Sequence, residues 1–214
     1  MSSPDKCIES FDSLSGTPDS CAVSGTSRTG AGLPMRYFVS LFIAFLLAVS
    51  LSAHAGMRLT LVMVTPEQYS QLKNDEGALE NVLNGSKPGV TLEMGKEWHG
   101  IHYLLTGDPW SAKGALGQVI LGGTEFGPDL GYGPARYLTR QQVVAIAAAL
   151  KHLSVEQFKS RYDPKAMMNA EIYPMIWERE GPEGLKWLVA GLRQLSEFYS
   201  RAAGQGKGVI LVIM

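Results

Sequence analysis

Residues 57–64 (Met-Arg-Leu-Thr-Leu-Val-Met-Val) are mostly apolar, with β-branched Thr60, Val62 and Val64, the pattern of an inner strand. The run stops at Thr65-Pro66-Glu67-Gln68. There threonine can cap a helix, proline suits its first position, and Gln68 completes a capping box. A short helix to about Lys73 follows, then a second over roughly 77–83, and residues 84–89 (Asn-Gly-Ser-Lys-Pro-Gly) form a loop by composition. Over 96–105, Trp98, Ile101, His102 and Leu105 fall on one helical stripe with His99 at its margin. Gly107-Asp108-Pro109 ends that helix, and the apolar run at 117–122 reads as a second strand. Residues 129–139 read as a glycine-hinged loop that delivers the chain into a helix start at Thr139.

Thr139 with Gln142, Ser154 with Gln157, and Asp163 with Pro164 are three start signals close together, which predicts short helices joined at corners. Residues 178–183 are a charged turn. The last helix runs from Glu183 to about Ala203, carries Leu185, Leu188, Val189, Leu192 and Tyr199 inward, and stops at Gly204. Residues 209–213 close the chain as a buried strand. Strands at the start, middle and end with helices between predict a single compact α+β domain over 56–214, with a small sheet, several short helices and one long C-terminal helix.

The first 55 residues follow a different pattern. Arg36 precedes an uncharged apolar run from Tyr37 to Leu51, and Ala53 and Ala55 fit the −3 and −1 positions of signal-peptide cleavage. The expectation is a signal peptide over 35–55, translation starting at Met35, and a periplasmic or secreted product with no stable membrane insertion. A retained anchor or a buried core helix are the alternatives, and an unused signal would leave the protein cytoplasmic. Residues 1–34, rich in Ser, Gly, Thr, Asp and Pro, are a disordered leader or a mis-assigned start. Cys7 and Cys21 both lie there, so from Gly56 onward no disulfide, cysteine nucleophile or thiolate metal site can form. Of 19 basic and 20 acidic residues, three bases and four acids precede Gly56, leaving a neutral domain. Neutrality gives no support for nucleic acid as a partner.

The candidate chemistry lies in two segments, 96–107 and 129–138. His102, on an apolar helix face, is either a hydrogen-bonded core histidine or an acid/base. With Asp129 as orienter and Arg136 stabilising negative charge, it would make a hydrolase- or lyase-type set. His99 and His102 lack a defined third metal ligand, although Glu97, Asp108 and Asp129 are available, so no metal and no cofactor are expected. Gly131-Tyr-Gly-Pro-Ala-Arg136 departs from a dinucleotide fingerprint, since arginine holds the third glycine position and proline interrupts the loop. Arg136 either pairs structurally, with Asp129 or a helix C-terminus, or recognises a carboxylate or phosphate in a cleft. Tyr132, Tyr137, Tyr173 and Trp177 read as core or pocket lining. No Gly-x-Ser-x-Gly elbow is present.

These two segments, with Tyr162-Asp-Pro164, Ile172-Tyr-Pro174, Trp177 and Gly206-Lys-Gly-Val-Ile210, resemble the YfbM-like family, domain of unknown function 1877, over nearly all of the chain from about residue 57. The resemblance implies one compact α+β domain and no established activity. The secretion signal departs from the cytoplasmic setting of that family, so no cytosolic partner is carried over. The function expected is an exported recognition module that binds a small ligand or a protein through a polar-aromatic cleft of Trp98, His99, Tyr132, Arg136 and Tyr137. The alternatives are the enzyme described above and an inhibitor or immunity-type interaction protein.

Overall fold

A computed structural model describes residues 56–214 except 86, 88 and 89. The expected signal peptide over 35–55 and the leader before it lie outside the described residues. In chain order the elements are β1 (Leu59–Val64), α1 (Pro66–Leu72), α2 (Glu76–Asn84), β2 (Thr91–Met94), α3 (Trp98–Thr106), α4 (Gly114–Leu121) and β3 (Thr124–Asp129). They continue with β4 (Pro134–Leu138), α5 (Arg140–His152), α6 (Val155–Lys159), α7 (Pro164–Asn169), α8 (Trp177–Gly204) and β5 (Gly208–Ile213). The fold is α+β, as its pattern predicts.

All strand pairs are antiparallel, in the order β2-β1-β5-β4-β3, so the first and last strands of the domain pair at the centre. Alternation along each strand sorts side chains onto two faces. Leu59, Leu61, Met63, Leu138, Val209 and Leu211 enter the main core beneath α3, α4, α5 and α8. Val62, Val64, Ala135, Tyr137, Ile210 and Val212 pack on the other face against Leu72, Leu79 and Leu83 of α1 and α2. This two-sided burial explains why β1 and β5 read as continuous apolar runs.

The three capping boxes form as expected, at Thr65/Gln68, Thr139/Gln142 and Ser154/Gln157, and Asp163 caps α7 through the Ala166 N–H. Four local readings are corrected. The apolar run at 117–122 is helix α4 rather than a strand. A Cβ on Gly117 would come within 2.7 Å of the Ser111 carbonyl oxygen, so its glycine marks a close backbone approach to the helix. The loop expected at 129–139 contains β4, a strand paired on both sides, while β2 was not foreseen as a strand at all. The charged turn at 178–183 begins α8 and contains its kink, where Gly181 takes a non-helical backbone before Pro182. Finally, α8 continues through Gly204, and the left-handed glycine beyond its end is Gly206 (φ 60°).

Candidate functional site

Helix α3 carries its histidines inward. Two carbonyls of its last turn, of Leu104 and Leu105, accept from Arg161 Nη1 at 2.9 and 2.8 Å, which ties the helix end to the turn after α6. His99 is buried and its two ring nitrogens are both engaged. The Tyr173 backbone N–H donates to Nδ1 at 3.1 Å, and Nε2 lies 3.0 Å from the Pro109 carbonyl oxygen. An acceptor at Nδ1 and a donor at Nε2 define one neutral tautomer. Burial lowers the His99 pKa, against the opposing effect of the Pro109 carbonyl. Trp98, also buried, stacks on His99 at 4.9 Å between ring centroids.

His102 is 0% exposed, and among the described residues neither ring nitrogen meets a hydrogen-bond partner. Burial drives its pKa down to about 4; the nearby His99 ring adds to the fall and the Asp108 carboxylate opposes it. The expected contact with Asp129 is not made. Asp129 Oδ1 instead accepts from the N–H groups of Gly131 (2.7 Å) and Gly133 (3.0 Å), closing the β3–β4 turn. With His102 sealed, Asp129 closing a turn and Arg136 engaged by the Leu121 carbonyl and Glu125, the acid/base set expected of these three residues is not assembled.

Arg136 and Tyr137 are neighbours on β4 and therefore point to opposite faces. Tyr137 stacks on Tyr69 with centroids 3.6 Å apart, within the α1–α2 side of the sheet. It thus leaves the site expected to contain it. Arg136 lies on the other face, where one Nη1 donates to the Leu121 carbonyl at the C-terminal end of α4 and Nη2 meets Glu125 Oε1 at 2.7 Å. The helix-end role expected of Arg136 is present, and its ion-pair partner is Glu125 rather than Asp129.

Arg136 and Tyr132 also line a cleft of about 240 Å³ together with Trp110, Ile120 and Leu121 near α4, and Leu211 and Ile213 of β5. Trp110 is 64% exposed and Tyr132 56%. The Trp110 ring sits 4.4 Å from that of His99, tilted by 37°, so the aromatic series Trp98–His99–Trp110 leads from the core to the cleft wall. Tyr132 also neighbours Tyr173: burial raises the Tyr173 phenol pKa, the Met57 backbone opposes the rise, and Tyr132 adds to it. Helix α3 and the Arg136 side of β4 are thus linked through Trp110, which meets His99 and lines the cleft with Arg136, and through Tyr173, rather than by direct contact of the expected residues.

Trp110 is the site residue that sequence reasoning missed. Its position directly after the helix-ending Gly107-Asp108-Pro109 was the available signal, because a large aromatic in a turn has little core to enter. The Asp108 carboxylate holds that turn by accepting from the Trp110 N–H at 2.8 Å.

Among the described residues no group of three or more His, Cys, Asp or Glu side chains is placed to hold a metal ion. No helix there is long and apolar enough to cross a membrane. A larger cavity of about 430 Å³ lies between β1 and the α1–α2 pair, but Lys87 is the one titratable side chain lining it.

The family model described as "Domain of unknown function (DUF1877)" matches residues 55–212. No curated protein matches the chain. Among solved structures, YfbM from Escherichia coli, a protein of unknown function, is 22% identical, covers 73% of this chain and 99% of its own, and superposes with a TM-score of 0.61. That likeness concerns the fold. With the family model matching well over half of the chain, the chain belongs to the DUF1877 family.

Proposed function

We propose that the protein is a recognition module that binds a small ligand in the cleft lined by Trp110, Tyr132 and Arg136. The observation that carries this reading is the pairing of two exposed aromatic rings with a partly exposed guanidinium over an apolar lining. Binding sites combine apolar walls with a few oriented polar groups in this way. Large aromatics held at the surface give up hydrophobic stabilisation unless something covers them. Of the residues expected to contact ligand, Tyr132 and Arg136 do so in this reading, while Trp98 and His99 support Trp110 from beneath.

Export belongs to the same proposal. It rests on Arg36, the apolar run at 37–51 and the small residues Ala53 and Ala55.

The test is a thermal-shift screen of the chain against small organic acids, amines and neutral ring compounds, repeated with Trp110→Ala and Tyr132→Ala. A ligand at a hundredfold its Kd adds about 2.7 kcal/mol to folded-state stability. A selective hit should lose its shift in both variants while their unliganded melting temperatures stay near wild type. Hits that persist undiminished in both variants would remove the cleft from consideration.

A further inference from the structure

We infer that the cleft accepts a single-ring compound bearing a carboxylate, and that Glu125 is an internal competitor which this carboxylate displaces from Arg136. The inference rests on the cleft being the binding site and adds its ligand class and the residue that tunes it.

Size comes first. At about 240 Å³ the cleft is smaller than the ~300–1,000 Å³ of typical ligand pockets, which favours one ring over a nucleotide or a peptide segment. The aliphatic lining from α4 and β5, with Trp110 and Tyr132 beside it, suits the apolar faces of that ring. Charge decides the rest. Arg136 is the one charged residue of the lining, and its guanidinium has five N–H donors in a plane that matches a carboxylate.

Two groups already engage that guanidinium, and they differ in kind. The Leu121 carbonyl is a helix-end acceptor, fixed by the backbone, and it anchors Arg136 in place. Glu125 is a side chain on the outermost strand β3, 55% exposed, paired with a guanidinium that is itself 33% exposed. Exposed ion pairs of this kind hold weakly because water competes for both partners. Glu125 therefore keeps Arg136 neutralised when the cleft is empty and yields to a carboxylate whose ring is simultaneously buried. Ligand and Glu125 compete for the same charge, so removing the Glu125 charge should tighten binding of acids and leave neutral rings unaffected.

The experiment titrates benzoate and its neutral counterpart benzamide into the full chain and into Glu125→Gln, by calorimetry or by tryptophan fluorescence. Benzoate should bind the wild type more tightly than benzamide. Glu125→Gln should improve benzoate affinity by about two- to fivefold, the range set by a weak exposed pair, without improving benzamide. Unchanged or weaker benzoate binding in Glu125→Gln would overturn the inference, as would failure of benzoate to bind either form. Equal binding of the two compounds that is lost in Trp110→Ala would also overturn it, while leaving the cleft as the binding site.

Discussion

Replacing His102 by leucine should leave the protein at least as stable at pH 7.5 and remove most of its sensitivity to mild acid. The imidazole is sealed in the core, with no partner on either ring nitrogen among the described residues. Burying polar atoms without partners costs roughly 1–3 kcal/mol, and leucine is close enough in volume that repacking should cost less than about 1.5 kcal/mol. The acid sensitivity follows from linkage. His102 is neutral in the fold, with its pKa near 4 against 6.5 for a free imidazole. The unfolded chain therefore takes up the proton first. The stability associated with the neutral ring is fully present above pH 6.5 and is lost as pH falls from there toward 4. The whole gap is worth about 3 kcal/mol, of which about 2 kcal/mol should be gone by pH 5. His99, lowered in the same direction by burial, keeps part of the slope in the leucine variant. Urea unfolding at pH 7.5, 6 and 5, followed by tryptophan fluorescence, measures both effects. A His102→Leu protein that is destabilised by more than ~2 kcal/mol at pH 7.5, or that keeps the full acid slope, would refute the account of His102 as an unpaired core imidazole.

Three further outcomes follow. His99→Phe removes the acceptor for the Tyr173 N–H and the partner of the Pro109 carbonyl, and should cost about 2–4 kcal/mol in urea unfolding; a loss below 1 kcal/mol would deny His99 its bridging role. Gly117→Ala should lower stability by roughly 1–3 kcal/mol through its clash with Ser111 and Ala112, whereas alanine in an open helix position would raise it. Expression from Met35 in a bacterial host should yield a secreted or periplasmic product beginning at Gly56, read by intact-mass spectrometry; a cytosolic product retaining 35–55 would end the export proposal.

The framework was legible because its signals are local or repetitive. Two strands buried on both faces could only be long apolar runs, and each threonine or serine cap announced itself through a glutamine three residues on. What escaped was set by tertiary contact. Val119-Ile120-Leu121 is β-branched and apolar enough to pass for a strand, yet Gly117 lets this segment pack as a helix against the 111–112 backbone. Pro134 and the two preceding glycines made β4 look like a loop; proline at the first residue of a strand is tolerated because it need not donate to the ladder. That misreading concealed the opposite orientations of Arg136 and Tyr137, and so placed Tyr137 in a site it faces away from. The partner of Arg136 was equally hidden, since Glu125 lies directly across the hairpin from it only once the register is known.

The cleft is the centre of the account, and crystals soaked with a library of single-ring fragments test it directly. Bound fragments should gather between Trp110 and Tyr132, with acidic ones contacting Arg136 and releasing Glu125. Fragments that instead collect only in the apolar cavity between β1 and the α1–α2 pair, with Arg136 and Glu125 still joined, would contradict it.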